Sequence, residues 1–188
     1  METPQRPAFP ATVGSAPANL MMRAAAPADA QTIASIYNEG IRGRAATFET
    51  AERTPEDILA WFTPTSATAV PYPFLVAELG DGVVGWVRAS SYRPRDAYRQ
   101  IAEYSVYVAT AAQGQRVGDT LLAAFLTACE TAGISKLVSR IFPENGASLA
   151  LCARHGFRVV GTYERHAALD GVWRDVVIVE RLFPNNLR

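Results

Sequence analysis

Apolar positions recur along this chain with two interleaved periods, one near 3.6 residues and one near 2. In "MMRAAAPADAQTIASIYNEGIRG" a short strand near 20–24 and a turn at Pro27 lead into a helix over 28–40, with Ile33, Ile36, Tyr37 and Ile41 on one face. "TPEDILAWF" opens with a Thr cap, Pro55 in the first helical position and acids in the first turn, which predicts a second, short helix. Pro64, Pro71 and Pro73 then interrupt the chain. "FLVAELGDGVVGWVRASSYR" reads as a hairpin whose strands, 74–79 and 83–92, flank the turn signal Gly80-Asp81-Gly82. "IAEYSVYVA" is the next strand, and "RVGDTLLAAFLTACETAG" is a helix with Leu121, Leu122, Phe125 and Leu126 inward and Gly133 as its stop. "KLVSRIF" is a strand, and "NGASLALCARHGF" is a short helix with a cap at Asn145 and a stop at Gly156. Two strands around 157–167 and 172–182 follow, joined through "LDGVWRD".

The order β, α, α, three strands, α, β, α, β, β predicts an α/β fold, a mixed sheet with helices over its faces. The 188 residues, 49% of them apolar, suit a single domain over 21–188. Residues 1–20 hold four prolines and no continuous apolar core of a secretory signal, so a disordered tail is expected there, with Met21 or Met22 as alternative starts. Eighteen basic and eighteen acidic residues cancel, which argues against nucleic acid or membrane as partners. Cys129 and Cys152 stand apart in helical patterns, so neither a disulfide framework nor a zinc site is implied, and a reducing cytoplasm is the expected setting. His155 and His166 lack metal-ligand spacing and read as structural; no metal is expected.

The chemistry concentrates in "AEYSVYVATAAQGQRVGDTLLAAFL", residues 102–126. A strand that passes through a glycine-bearing loop straight into a helix aims several unpaired backbone N–H groups and a positive dipole end at one point. Phosphate fits there: Gly114 and Gly118 let it approach the main chain, and Gln113 and Arg116 add donors. No GK[ST] follows, so it is not a Walker loop, and the dinucleotide fingerprint lacks its third glycine and acidic strand end. Ordinary loop punctuation is the competing reading of the same glycines.

Gln113-Gly114-Gln115-Arg116-Val117-Gly118, then Asn145-Gly146-Ala147-Ser148, then His155-Gly156-Phe157 together resemble the motifs of the GCN5-related N-acetyltransferases. "IYNEGIRGRAATFET", "YPFLVAE", "SYRPRDAYR", "AEYSVYVA" and "DGVWRDVVIVER" resemble the branch that acetylates phosphinothricin, arsinothricin and methionine sulfoximine, and they cover nearly the whole chain from residue 22. The resemblance implies the GNAT fold, with acetyl-CoA as co-substrate bound at a splay between two central strands. It implies main-chain contacts to the pantetheine arm from Val106, Tyr107 and Val108. Pyrophosphate contacts are implied for residues Gln113, Gly114, Gln115, Arg116, Val117, Gly118 and Asp119, and further cofactor contacts for Asn145 and Ser148. Arg116 stands where the motif usually has its central glycine, so the backbone there is expected to avoid positive φ.

Acetyl transfer to an amine needs a base to make the nitrogen neutral. Glu103 resembles the family's carboxylate at the start of the strand; read without the resemblance it is a solvated strand-end acid. Strand alternation puts Glu103, Ser105 and Tyr107 on one face, expected to be the wet one, and Tyr104, Val106 and Val108 on the other. Cys152 stands where many relatives place a tyrosine or histidine acid, and packing is its plainer role. For the acceptor the resemblance implies Phe48, Arg93, Arg95 and Tyr98, beside Tyr92 and Arg99, since arginine pairs with carboxylate, phosphinate or arsinate. Trp173 and Asp175 match the terminal hairpin, shaping either the pocket or a dimer contact, and a homodimer is implied. The expected function is N-acetylation of a small amino-acid analogue. The alternatives are a general L-amino-acid N-acyltransferase acting on methionine sulfone or sulfoximine, a peptide acetyltransferase, and a non-catalytic CoA-binding module.

Overall fold

The computed structural model describes residues 15–63 and 72–187. Seven strands form one sheet: β1 (Leu20–Ala24), β2 (Phe74–Leu79), β3 (Gly82–Ser91), β4 (Ile101–Val108), β5 (Lys136–Ile141), β6 (Arg158–Leu169) and β7 (Val172–Leu182), in the spatial order β1-β2-β3-β4-β5-β7-β6. Among the described residues four α-helices cover it: α1 (Ala30–Arg42), α2 (Pro55–Leu59), α3 (Val117–Thr131) and α4 (Gly146–Arg154). Every strand pair is antiparallel except β4 with β5, which the α3 crossover makes parallel. Most of the tail expected to be disordered, residues 1–14, lies outside the described residues, as do Pro64 and Pro71. Its last residue, Leu20, already pairs with Leu79 in β1.

Strand alternation divides the core. On one face Ala77, Val87, Ala89 and Tyr104 meet Leu121, Leu122, Phe125 and Cys129 of α3, with Cys152 of α4 beside them. On the other, Val76 and Trp86 meet Ile33, Ile36, Tyr37 and Ile41 of α1 and Ile58 of α2. A third cluster, Val138, Phe142, Leu169, Val176 and Ile178, extends this second face under Phe48, Tyr92 and Ile101.

Local chemistry agrees with the elements. Thr54 Oγ1 accepts from the Asp57 N–H while the Asp57 carboxylate accepts from the Thr54 N–H, a reciprocal cap on α2. The β2–β3 turn holds Gly80 at φ 63°, where a side chain would be strained. The two chain ends of α4 are fixed as its sequence demands, by Asn145 before it and Gly156 at φ 76° after it.

The expected wet face of β4 is corrected at one end. Ser105 is exposed and Glu103 half-buried, but Tyr107 packs against Trp86 with ring centroids 4.8 Å apart and against Tyr37 at 4.8 Å. An aromatic ring beside two others buries more apolar area there than water would leave it, and the strand's outer end belongs to the α1 core.

Candidate active site

The site begins where two strands part. β4 and β5 pair only over Ile101–Lys136, Ala102–Leu137 and Glu103–Val138. Glu103 is thus the last rung, and beyond it the facing edges of Ser105 to Val108 and Ser139 to Ile141 diverge. A cavity fills the gap, lined by Ser105, Val106, Tyr107, Arg140, Asn145 and Ser148 among others. The Ser139 hydroxyl donates to the Tyr104 carbonyl at 3.1 Å, bridging the strands just past the fork.

Parallel register carries Glu103 and Val138 to the same face, and the period of two then brings Arg140 there too. Arg140 Nη1 donates to Glu103 Oε1. Both side chains are partly exposed, so a carboxylate is held at the fork without being sealed from a guest. Sequence reading missed Arg140; its signal was its place two residues beyond Val138 in "KLVSRIF", decisive only once β5 is known to lie beside β4.

At the floor, the Tyr104 hydroxyl and Cys152 Sγ lie 3.0 Å apart. Burial pushes both groups above their ordinary values, so both stay protonated near neutral pH. Tyr104, assigned to the packed face, was not foreseen as a partner of Cys152.

The loop after β4 closes on itself. Gln113 Nε2 donates to the Val108 carbonyl at 3.2 Å and Gln115 Nε2 to the Ala111 carbonyl at 3.0 Å. Gly114 takes φ 76° with no atom within 4 Å of an added Cβ, so it is both left-handed and open. An added Cβ at Gly118 would make only ordinary contacts with Val108 and Leu151, at 3.5 and 3.7 Å. The side chain of Val117 is core, 1% exposed.

Arg116 overturns one expectation. It is the N-cap of α3 with φ 61° and ψ 10°, the left-handed conformation the motif's glycine would take. The loop geometry prevails over the side chain's preference, at a cost of roughly 1 kcal/mol. The Arg116 guanidinium pairs with Asp119 three residues on. Asp119 also accepts from Arg154 Nε at 3.2 Å and contacts His155 Nε2 at 3.0 Å. Burial opposes its charge, but these hydrogen bonds prevail and hold the Asp119 carboxyl below its ordinary value. Among the described residues no side chain caps the first-turn amides of α3, in contrast to α2 and α4.

Asn145 serves twice: its Oδ1 accepts from the Ser148 N–H at 3.1 Å, and its Nδ2 donates to the Ala45 carbonyl at 3.2 Å. That second bond ties α4 to the loop after α1. In the same loop Phe48 stands edge-on to Phe142, centroids 4.7 Å apart, half-buried beside Tyr92 on the Glu103 face. Tyr92 meets Tyr98 at 5.8 Å and lies under the Arg93 guanidinium at 5.2 Å. Arg95 is exposed, and Arg99 is engaged by Asp96 at 3.0 Å. Trp173 and Asp175 line a second pocket with Pro143, Glu144 and Arg174; Trp173 is 63% exposed and Asp175 accepts from the Arg165 N–H at 2.8 Å within the hairpin. Among the described residues no His, Cys, Asp and Glu group could hold a metal, and no helix is long and apolar enough to cross a membrane.

Comparison with known proteins agrees with this geometry. Residues 19–158 match the model of the acetyltransferase (GNAT) domain. The chain is 36% identical to the phosphinothricin N-acetyltransferase of Alcaligenes faecalis over 81% of its own length and 77% of that protein's. It is 29% identical to the L-methionine sulfoximine/L-methionine sulfone acetyltransferase of Salmonella typhimurium, over 86% and 93% of the two chains. A GNAT superfamily phosphinothricin acetyltransferase from Sinorhizobium meliloti, crystallised in complex with acetyl-CoA, superposes with a TM-score of 0.80 at 29% identity, covering 88% of this chain and 89% of that one. The forked sheet, the uncapped helix behind it and the matched sequence make this chain a member of the GNAT acetyltransferase family, an N-acetyltransferase with acetyl-CoA as its co-substrate.

Proposed function

We propose that the protein acetylates the α-amino group of a small amino-acid analogue of the phosphinothricin or arsinothricin type, with Glu103 as the general base. The observation that carries this reading is the position of Glu103 on the last paired rung of β4 and β5, where it is held by Arg140, a residue that lines the cavity. Acetyl-CoA supplies the acyl group as a thioester. The main chain of Val106, Tyr107 and Val108, on the parted edge of β4, offers the arm of the donor a strand to lie against. Val117, Gly118 and Asp119 present first-turn amides without a capping side chain, and Gly114 leaves open space before them, a setting suited to pyrophosphate. Gln113, Gln115 and the Arg116–Asp119 pair brace that loop, while Asn145 and Ser148 face the cavity from α4.

An acceptor enters on the face of Phe48, Tyr92 and Arg140. Its ammonium competes with Arg140 for Glu103, which then takes a proton directly or through one water and leaves a neutral nitrogen. Arg93 and Tyr98, both packed on Tyr92, and the exposed Arg95 of the same loop favour an acceptor bearing an acid group over a cationic peptide. Self-protection against a toxic amino acid, in a reducing cytoplasm, is the role this chemistry fits. The β6–β7 hairpin, with Val159, Val160, Tyr163, Val172 and Trp173 exposed, is the surface on which a homodimer would close.

The test is CoA release across a panel of amino acids and glutamate analogues, with Glu103→Gln beside the wild type. Turnover of that variant should fall by about 100-fold or more while acetyl-CoA affinity holds. Wild-type turnover in Glu103→Gln would remove the base, and no release above background from any panel member would remove the acceptor class.

A further inference from the structure

Arg88 has no place in the chemistry above, and its surroundings are unusual. It lies mid-strand in β3, partly buried, with its guanidinium 5.0 Å from the Trp61 ring centroid and 6.0 Å from that of Phe74. The partly buried cations Arg23, Arg44, Arg53, Arg116, Lys136 and Arg174 are each paired with a carboxylate, and Arg181 donates to the His155 carbonyl. Among the described residues Arg88 has no oxygen partner. Burial alone acts on it, pushing it below its ordinary value. A cation taken partly out of water without a counter-charge is costly, and aromatic faces offset only part of that cost.

Its position explains what could complete it. In the β3–β4 ladder Ser90 faces Glu103, Arg88 faces Ser105 and Trp86 faces Tyr107, so all six side chains share one face of the sheet. Ser105 lines the cavity and is exposed. Arg88 is therefore the diagonal neighbour of Glu103, on the order of 7 Å away between backbones. The rings of Trp61 and of Phe74, its register partner in β2, hold the guanidinium without accepting a hydrogen bond from it in the manner of an oxyanion.

Building on the acceptor reading above, we propose that Arg88 is a specificity-determining residue, binding the anionic side-chain group of the acceptor while Glu103 receives its α-amine. Two oxygens of a phosphinate, arsinate or carboxylate accept from the guanidinium. Methionine sulfone, with a neutral side chain, offers Arg88 only weak acceptors. The site thus selects acidic analogues over neutral ones.

The test is the ratio of kcat/KM for phosphinothricin to that for methionine sulfone, in wild type, Arg88→Met and Arg88→Lys. Losing a charge-assisted pair should lower the ratio by about 10–100-fold in Arg88→Met, with Arg88→Lys between the two. A merely structural clamp would lower both activities together, so an unchanged ratio overturns the assignment. Calorimetric titration of phosphinothricin into wild type and Arg88→Met without acetyl-CoA reads the same site independently of turnover. Tenfold weaker binding in Arg88→Met supports it, and equal binding, or none by either protein, overturns it. Arg88-dependent binding by a wild type that turns over neither compound would keep the anion site and sink the acceptor reading.

Discussion

Gly40 allows a quantitative test of how firmly the cavity wall is held. It lies in the last turns of α1, and a Cβ built there falls 2.6 and 2.9 Å from two ring carbons of Tyr107. Carbon atoms prefer about 3.5–4.0 Å, so the ring must retreat by roughly 1 Å. It has little room, being stacked on Trp86 at 4.8 Å, set edge-on to Tyr37 at 4.8 Å, and hydrogen-bonded through its hydroxyl to the Ala46 carbonyl at 3.3 Å. Overpacking a filled site costs about 1–3 kcal/mol, while replacing glycine by alanine in a helix returns at most about 1 kcal/mol. With the ring hemmed in on three sides the overpacking falls in the upper part of that range, about 2–3 kcal/mol, so the balance for Gly40→Ala is a loss of about 1–2 kcal/mol, or a Tm lower by about 2–8 °C for a chain of this size. Thermal unfolding followed by circular dichroism measures it, and the double variant Gly40→Ala with Tyr107→Leu should lose less than the sum of the two single changes. Because Tyr107 lines the cavity, the KM for acetyl-CoA should rise as well. A Gly40→Ala protein as stable as the wild type, or more so, would show that the aromatic stack yields freely and that the wall is not pinned.

Three further outcomes are expected. Arg116→Gly and Arg116→Ala both lose the Asp119 pair, but only alanine keeps a side chain at φ 61°, so the alanine variant should unfold at a Tm lower by about 2–4 °C than the glycine variant. Asp29, held by Arg23, and Glu180, held by Lys136, both have folded-state values below their ordinary 3.8 and 4.5. Their stabilisation is complete above those ordinary values and is lost as pH falls through the lower folded ones. Tm should therefore decline as pH drops below about 4.5, and Glu180→Gln should flatten that decline; an identical slope in the variant would refute the assignment. Cys129 and Cys152 are buried with their thiols pushed upward, so native protein at pH 8 should resist iodoacetamide and react at both positions only in guanidinium chloride.

Periodicity made the helices and strands legible, because the α1 stripe of Ile33, Ile36, Tyr37 and Ile41 and the Gly80–Asp81 turn are local signals. Pairings between distant segments left no such trace. The contacts of Arg140 with Glu103 and of Cys152 with Tyr104 join residues 37 and 48 positions apart, and each needed the strand order to become visible. Tyr107 was misplaced for a related reason: alternation fixes which residues share a face, but the covering helix decides whether that face is wet. Arg116 was misread because residue preference was weighed before loop geometry, and the turn into α3 requires φ above zero whichever side chain stands there.

The strand order also bears on how the chain reaches its native state. β7 follows β6 in sequence yet lies between β5 and β6, so β5 has an open edge and β6 has no neighbour until β7 arrives. Folding of this half of the sheet therefore waits on a late-made segment, and during that interval the unpaired edges of Lys136–Ile141 and Arg158–Leu169 are the parts of the molecule most exposed to mispairing.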